Sequence, residues 1–269
     1  MIGLILIDID GTLVGAGNRV PASAWTEIAK AQSLGRKVAL CTGRPCAGNS
    51  VGYARRVDSF GAHIFQSGAV LCAPGGEAVH SVRLPPASYA GLVQLARENG
   101  EPLEVYTAKD CFVERPNHHT ISHAKELDLI IEERDLLHID LDREPVVRVQ
   151  WIVPWAKWPT IEALTARDAE LQISVATHPG LIETCFSSVT ARGVSKASAA
   201  VWLAGHHGLA IDEVAMIGDG DNDLDVVRVV GLGIAMGNAT ATLRAAADVV
   251  VGAVEADGLA EAIDEALAH

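Results

Sequence analysis

Residues 218–225 read GDGDNDLD, four aspartates in eight positions directly behind the apolar run EVAMI. Two carboxylates ~4 Å apart at an effective dielectric of ~20 repel by ~4 kcal/mol, so such a turn calls for a cation. Asp8 and Asp10 close another apolar run in DIDGTLV. Residues i and i+2 of a strand share a side, so these two carboxylates are expected to converge, with Gly11 allowing the tight turn that follows. CTGR, residues 41–44, ends a third apolar run. A threonine hydroxyl with neighbouring backbone N–H groups at such a turn cradles an oxyanion. Cys41 has no basic partner nearby and reads as a buried strand residue rather than a nucleophile. Lys196 lies in ARGVSKASAA at a predicted helix start, where the positive helix end disfavours a cation by roughly 0.3–1 kcal/mol. An anion shared by lysine and helix end would account for it, and so would a solvated surface lysine; this feature alone does not decide.

Simpler readings compete with these. A solvated loop in which Asp221 or Asn222 caps the next helix explains GDGDNDLD but not Asp8 and Asp10. A calcium loop of the EF-hand type fails, because Leu224 stands at its glycine position and Val230 at its closing glutamate. Carboxylates from two strands meeting at one ion suit magnesium, with positions left for water and phosphate. The adjacent pairs His118-His119 and His206-His207 are not read as ligands, since neighbouring histidines usually point apart. The tryptophans of VQWIVPWAKWP, residues 149–159, could line a binding surface but read first as packing residues. GLGIAMG follows a predicted helix instead of preceding one, and GVSKAS lacks the order of a P-loop.

The elements that position these residues alternate. Residues 3–7, 37–41 and 62–66 read as strands, with a helix over 21–34 that opens on proline and stops at glycine. The last third repeats the rhythm: helix 195–207, strand 214–218, short helix 222–230, strands 231–236 and 248–251, and a closing helix. Alternation of buried strands with helices predicts an α/β fold with a doubly wound parallel sheet, whose ligand crevice lies at the carboxyl edge. The middle differs. A helix over 86–99 and strands in LEVYT and CFVE are matched later by a helix over 160–168 and strands in LQISVAT and LIETCF, with VVRVQWIV between. This predicts an inserted α+β domain over 84–189, and a core made of 1–83 and 190–269.

Composition bounds the function. The formal net charge of −13 and the lack of a basic patch argue against nucleic acid as a partner. No segment reaches the ~20 apolar residues needed to cross a bilayer. Five scattered cysteines without a CxxC pair read as reduced thiols, and the expected location is cytoplasmic. A monomer and a homodimer are both open.

Taken together, DIDGTLV, TGR, the lysine before a helix and GDGDND occur in the order found in the haloacid dehalogenase-like hydrolase superfamily, and the chain resembles its Cof-type IIB phosphatases. AMGNA (235–239) and ADGLAEAI also resemble that subgroup, as does the position of the insertion, its cap. The resemblance implies a Rossmann-like core and a Mg²⁺-dependent phosphatase acting on a small phosphorylated metabolite, a sugar phosphate. Asp8 would be the nucleophile that becomes an aspartyl-phosphate and Asp10 the general acid and base. Magnesium would take the Asp8 carboxylate, the Asp10 backbone carbonyl, Asp219 and Asp223. Thr42, with Gly43 and Arg44, would hold the phosphoryl group, Lys196 would pair with Asp8 and phosphate, and Asn222 would orient lysine, water or substrate. Asp221 and Asp225 are left to solvent. One departure stands out: the subgroup often carries Asn-Gly-Ala where this chain has Ser67-Gly68-Ala69. A phosphomutase of the same superfamily and a non-catalytic metabolite-binding protein are the competing readings.

Overall fold

The structure is a computed structural model that describes residues 1–176 and 183–269. Its centre is a parallel sheet of five strands, ordered Val249–Val250, Leu232–Ala235, Val214–Gly218, Leu4–Ile7 and Lys37–Leu40. Every side chain of Leu4–Ile7 is buried, as a short apolar run covered on both faces must be. One face packs Ile5, Ile7, Val38, Leu40 and Ile217 against the helices Ala22–Ser33 and Gly258–Ala268. The other packs Leu4, Leu6, Ala39 and Met216 against the helix Lys196–His206. The α/β, doubly wound architecture expected from the sequence is the one observed.

Leu4–Ile7 has an early neighbour on one side and late neighbours on the other, so a topological switch point falls there. Its register pairs Ile7 with both Ile217 and Leu40. Asp8, Cys41 and the residues after Gly218 therefore emerge together at the carboxyl edge.

Residues 62–66 do not form a full sixth strand. His63–Phe65 touches the parallel sheet through one bridge, Cys41 with Ile64, and turns back to pair antiparallel with Val70–Cys72, which pairs with Ala78–Ser81. The reversal needs left-handed backbone at three successive residues, Gln66, Ser67 and Gly68, with φ of 56°, 57° and 99°.

The middle of the chain builds a second sheet of six strands, ordered Leu171–Ala176, Thr184–Ala191, Arg148–Pro154, Leu103–Tyr106, Cys111–Val113 and Ile131–Glu133. Helices Pro86–Asn99 and Trp158–Thr165 supply Tyr89, Leu92, Val93, Trp158 and Ile161 to a core with Val105, Val149, Trp151 and Val153. Trp151 and Trp158 are thus packing residues, whereas Trp155 is 37% exposed. The strand placed at 181–186 begins at Thr184, and its first residues, like residue 177 of LQISVAT, lie outside the described segments. An additional helix, His118–Leu127, opens on a capping box between Asn117 and Thr120. Its buried positions include Thr120 and His123, so an apolar count does not reveal it. His118 and His119 do not point apart as expected: their ring centroids lie 3.7 Å from each other.

Candidate active site

At the carboxyl edge Asp8 is the first residue beyond its strand, only 4% exposed. The chain 188 residues further on supplies its partner. Lys196 opens the helix Lys196–His206, which Ser195 caps by accepting from the Ser198 N–H, and its Nζ lies 2.7 Å from Asp8 Oδ1 and 2.5 Å from Asp223 Oδ1. Lys196 is itself buried, so the alternative of a solvated surface lysine falls away. The other oxygen of Asp223 accepts the N–H groups of Asp219 and Gly220, each at 3.2 Å, which folds GDGDND back on itself.

Carboxylate oxygens of Asp8, Asp219 and Asp223 come within 4.8 Å of one another. Three carboxylates facing one ammonium leave an excess of two negative charges, and the protonation balance responds. Burial pushes the Asp8 carboxyl well up against the opposing pull of Lys196, and Asp223, Asp219 and Asp10 push the same way. Burial and then Asp223 push Asp219 up to about 7. Burial opposes charge on Lys196, yet Asp223 and Asp8 outweigh it and hold the ammonium well above the usual lysine range. A hard divalent cation among these oxygens fits the donor set, an all-carboxylate cluster of the kind that suits magnesium.

Asp10 does not join that cluster with its carboxylate. It lies in the turn after the strand, 56% exposed, and Arg44 clamps it through Nε at 2.9 Å and Nη2 at 2.5 Å. The strand ends at Ile7 and the backbone turns at Gly11, yet Asp10 stays near enough for its charge to act on both Asp8 and Asp219. Arg44 is only 5% exposed and is occupied on every side, donating also to Asn49 Oδ1 at 2.7 Å and Asn18 Oδ1 at 3.0 Å. Thr42 is buried, and its hydroxyl accepts the Arg44 N–H at 3.1 Å. Gly43 lies between them, and its carbonyl accepts from Arg148 of the second sheet at 2.9 Å.

A cavity of about 260 Å³ adjoins the cluster. Lys196, Asn222 and Arg228 line it from the core, Gln172, Ser174 and Ser188 from the second sheet, and Ser67 from the left-handed reversal. Asp221 and Asp225 stand exposed at its wall, where Asp221 accepts from Thr240 and Asp225 from its own helix at Val226. Gln172, Ser174, Ser188, Arg148 and Asn49 were not singled out from the sequence. Each is an ordinary polar residue in a strand, or at a helix start, with no motif around it.

Comparison with known proteins places this arrangement. A family model described as haloacid dehalogenase-like hydrolase matches residues 5–263. The "Putative phosphatase" of Haemophilus influenzae is 26% identical over 97% of this chain and 97% of its own. Among solved structures, a haloacid dehalogenase-like hydrolase from Bacteroides thetaiotaomicron superposes with a TM-score of 0.84 at 27% identity, covering 98% of this chain and 99% of that one. A sugar phosphatase of subclass IIB shares the fold at 24% identity and a TM-score of 0.83, covering 97% of this chain and 98% of that one.

Proposed function

The chain belongs to the haloacid dehalogenase-like hydrolase family, and on that premise we propose that it is a magnesium-dependent phosphatase that hydrolyses a small phosphorylated metabolite, a sugar phosphate, through an aspartyl-phosphate on Asp8. The observation that carries the reading is the group of Asp8, Lys196 and Asp223, all buried, and half-buried Asp219, beside a cavity that carries Asp221, Asp225 and Arg228 on its core side and is walled from the second sheet by the neutral hydroxyls and amide of Ser174, Ser188, Thr190 and Gln172. Such walls suit a polyol leaving group, which offers many hydroxyls and no second charge.

An Asp8 oxygen attacks phosphorus as the bond to the leaving oxygen breaks, and Asp10 gives that oxygen its proton. Water then attacks the aspartyl-phosphate and passes a proton to Asp10, which releases inorganic phosphate and restores Asp8. Lys196 stays protonated throughout, pairing with Asp8 before transfer and with phosphoryl oxygens after it. Thr42 and the N–H groups beside it hold the remaining phosphoryl oxygens. Bound by Asp8, Asp219, Asp223 and the Asp10 carbonyl, a magnesium ion would damp repulsion between carboxylate and phosphate and spread transition-state charge. Asn222, in the cavity wall, contacts the substrate or the lysine. The second sheet with its helices, residues 84–189, is the cap that selects the leaving group and shuts out bulk water.

The test is phosphate release from sugar phosphates, nucleotides and p-nitrophenyl phosphate, with magnesium or with EDTA, and with Asp8→Asn. Turnover that vanishes with EDTA and with Asp8→Asn supports the proposal. Isomer formation without phosphate release would replace it by a phosphomutase, and tight binding without turnover by a binding role.

A further inference from the structure

One side chain joins the second lobe to the carboxylate that the proposed mechanism uses as acid and base. Asn49 opens the helix Asn49–Val57 in the core. Its Oδ1 accepts from Arg44 Nη1 at 2.7 Å, and its Nδ2 donates to the carbonyl of Glu126 at 3.0 Å. That carbonyl is in the last turn of the helix His118–Leu127. The amide has one satisfactory orientation, since a guanidinium only donates and a carbonyl only accepts.

The junction around it is tight. Gly48, in a left-handed conformation at φ +57°, lies so near the second lobe that a Cβ there would sit 2.1 Å from the Leu127 carbonyl. On the other side of Asn49, Arg44 carries the only carboxylate it pairs with among the described residues, that of Asp10. A continuous path therefore runs from the end of a helix in one lobe through Asn49 and Arg44 to Asp10, with hydrogen bonds of 3.0, 2.7 and 2.9 Å. Asn18 holds Arg44 from within the core at 3.0 Å, and among the described residues its side chain makes no hydrogen bond to the second lobe.

We propose that Asn49 is a positioning residue that makes the seating of the second lobe set the orientation of the Asp10 carboxylate. It rests on the phosphatase reading, because the step it controls is proton transfer by Asp10. When the lobe lifts, Asn49 loses the Glu126 carbonyl, Arg44 loses a fixed acceptor, and Asp10 is no longer aimed at the leaving oxygen. Acid catalysis is thereby kept for the seated state, in which the leaving group is enclosed.

The readout is the dependence on leaving group. An alkoxide must be protonated as it departs, whereas p-nitrophenolate leaves without a proton. The parameter kcat/KM is the right one, because it covers only the steps through the first irreversible one, departure of the leaving group. Asn49→Ala, which removes both contacts, is expected to lower kcat/KM for an alkyl phosphate such as a hexose phosphate by about tenfold or more, within the ~10²–10⁴ that general acid catalysis contributes, and for p-nitrophenyl phosphate by less than about threefold. Asn49→Asp keeps an acceptor for Arg44, now a carboxylate, and sets an oxygen against the Glu126 carbonyl, so it breaks the link to the lobe while Arg44 stays paired. It is expected to show the same selective loss. Equal losses on both substrates, or no loss, overturn the proposal, and so does Asn49→Asp behaving as wild type. Circular dichroism and thermal unfolding of both variants separate misfolding, which lowers both substrates together. Wild-type protein that turns over neither substrate with magnesium would instead overturn the phosphatase reading itself.

Discussion

Ser67 holds a backbone that serine rarely adopts, with φ 57° and ψ 29°, and its side chain faces the cavity beside Lys196. Left-handed geometry costs an ordinary residue roughly 1–2 kcal/mol. Glycine would remove that cost, but it would also lose roughly 0.5–1 kcal/mol through the greater freedom of its unfolded state. The two effects nearly cancel, so Ser67→Gly is expected to leave stability within about 1 kcal/mol of wild type in urea unfolding. The lost hydroxyl should raise KM several-fold for the preferred sugar phosphate; an unchanged KM would show that Ser67 does not touch substrate. How far such positions are legible in sequence depends on what they do. Asp8, Thr42, Asp219 and Asp223 stand out because charged or hydroxyl residues follow apolar runs, and Lys196 because it opens a helix; Asp8, Lys196, Asp219 and Asp223 cluster in the structure, while Thr42 holds the Arg44 N–H. The partners of Arg44 are not legible: Asp10 lies 34 residues away, Asn18 26 and Asn49 five, in segments with no shared pattern.

At the scale of elements, the helix Lys196–His206 and the reversal at 66–68 meet with almost no clearance. A Cβ on Gly68 would lie 2.1 Å from the Ser195 carbonyl, and the backbone there has φ +99°. Gly68→Ala must therefore push the helix start away or unwind the reversal. Since Lys196 is the first residue of that helix, the shift passes directly to its contact with Asp8. The variant is expected to unfold more easily by about 1–3 kcal/mol and to lose at least tenfold in kcat, measured by urea denaturation and phosphate release. A stable, fully active Gly68→Ala would show that the helix start has room to move. The parallel strands were legible because each is a short unbroken apolar run, and Leu4–Ile7, Val214–Gly218 and Leu232–Ala235 are buried along their whole length. The strands Val70–Cys72 and Ala78–Ser81 were not read, being short and set by the left-handed reversal and not by pattern. The helix His118–Leu127 escaped notice because polar Thr120 and His123 occupy its buried side, His123 against Glu104 at 2.9 Å.

For the whole molecule, the carboxylate cluster makes stability a function of pH and metal. Asp219 titrates near 7 in the folded state, against an ordinary ~3.9 for the unfolded chain. As pH rises the unfolded chain loses this proton first, so between about pH 4 and 7 the folded state holds the extra proton. Without metal, this residue's contribution therefore falls as pH climbs through that window and levels off above it. A divalent cation competes with the same proton, so magnesium is expected to raise Tm more at about pH 7.5 than at about pH 5. Asp219→Asn should flatten that part of the pH profile and remove the magnesium shift. A magnesium shift that is independent of pH would place the ion elsewhere. The order of the strands has a further consequence, in time. Leu4–Ile7 receives Lys37–Leu40 early, but its other neighbour, Val214–Gly218, follows the entire second sheet in the chain. A ribosome delivers the elements in that sequence, so the second sheet is complete on the nascent chain while the central strand still lacks half its pairing. Asp8 and Lys196 are 188 positions apart, and no shorter nascent chain can bring them together.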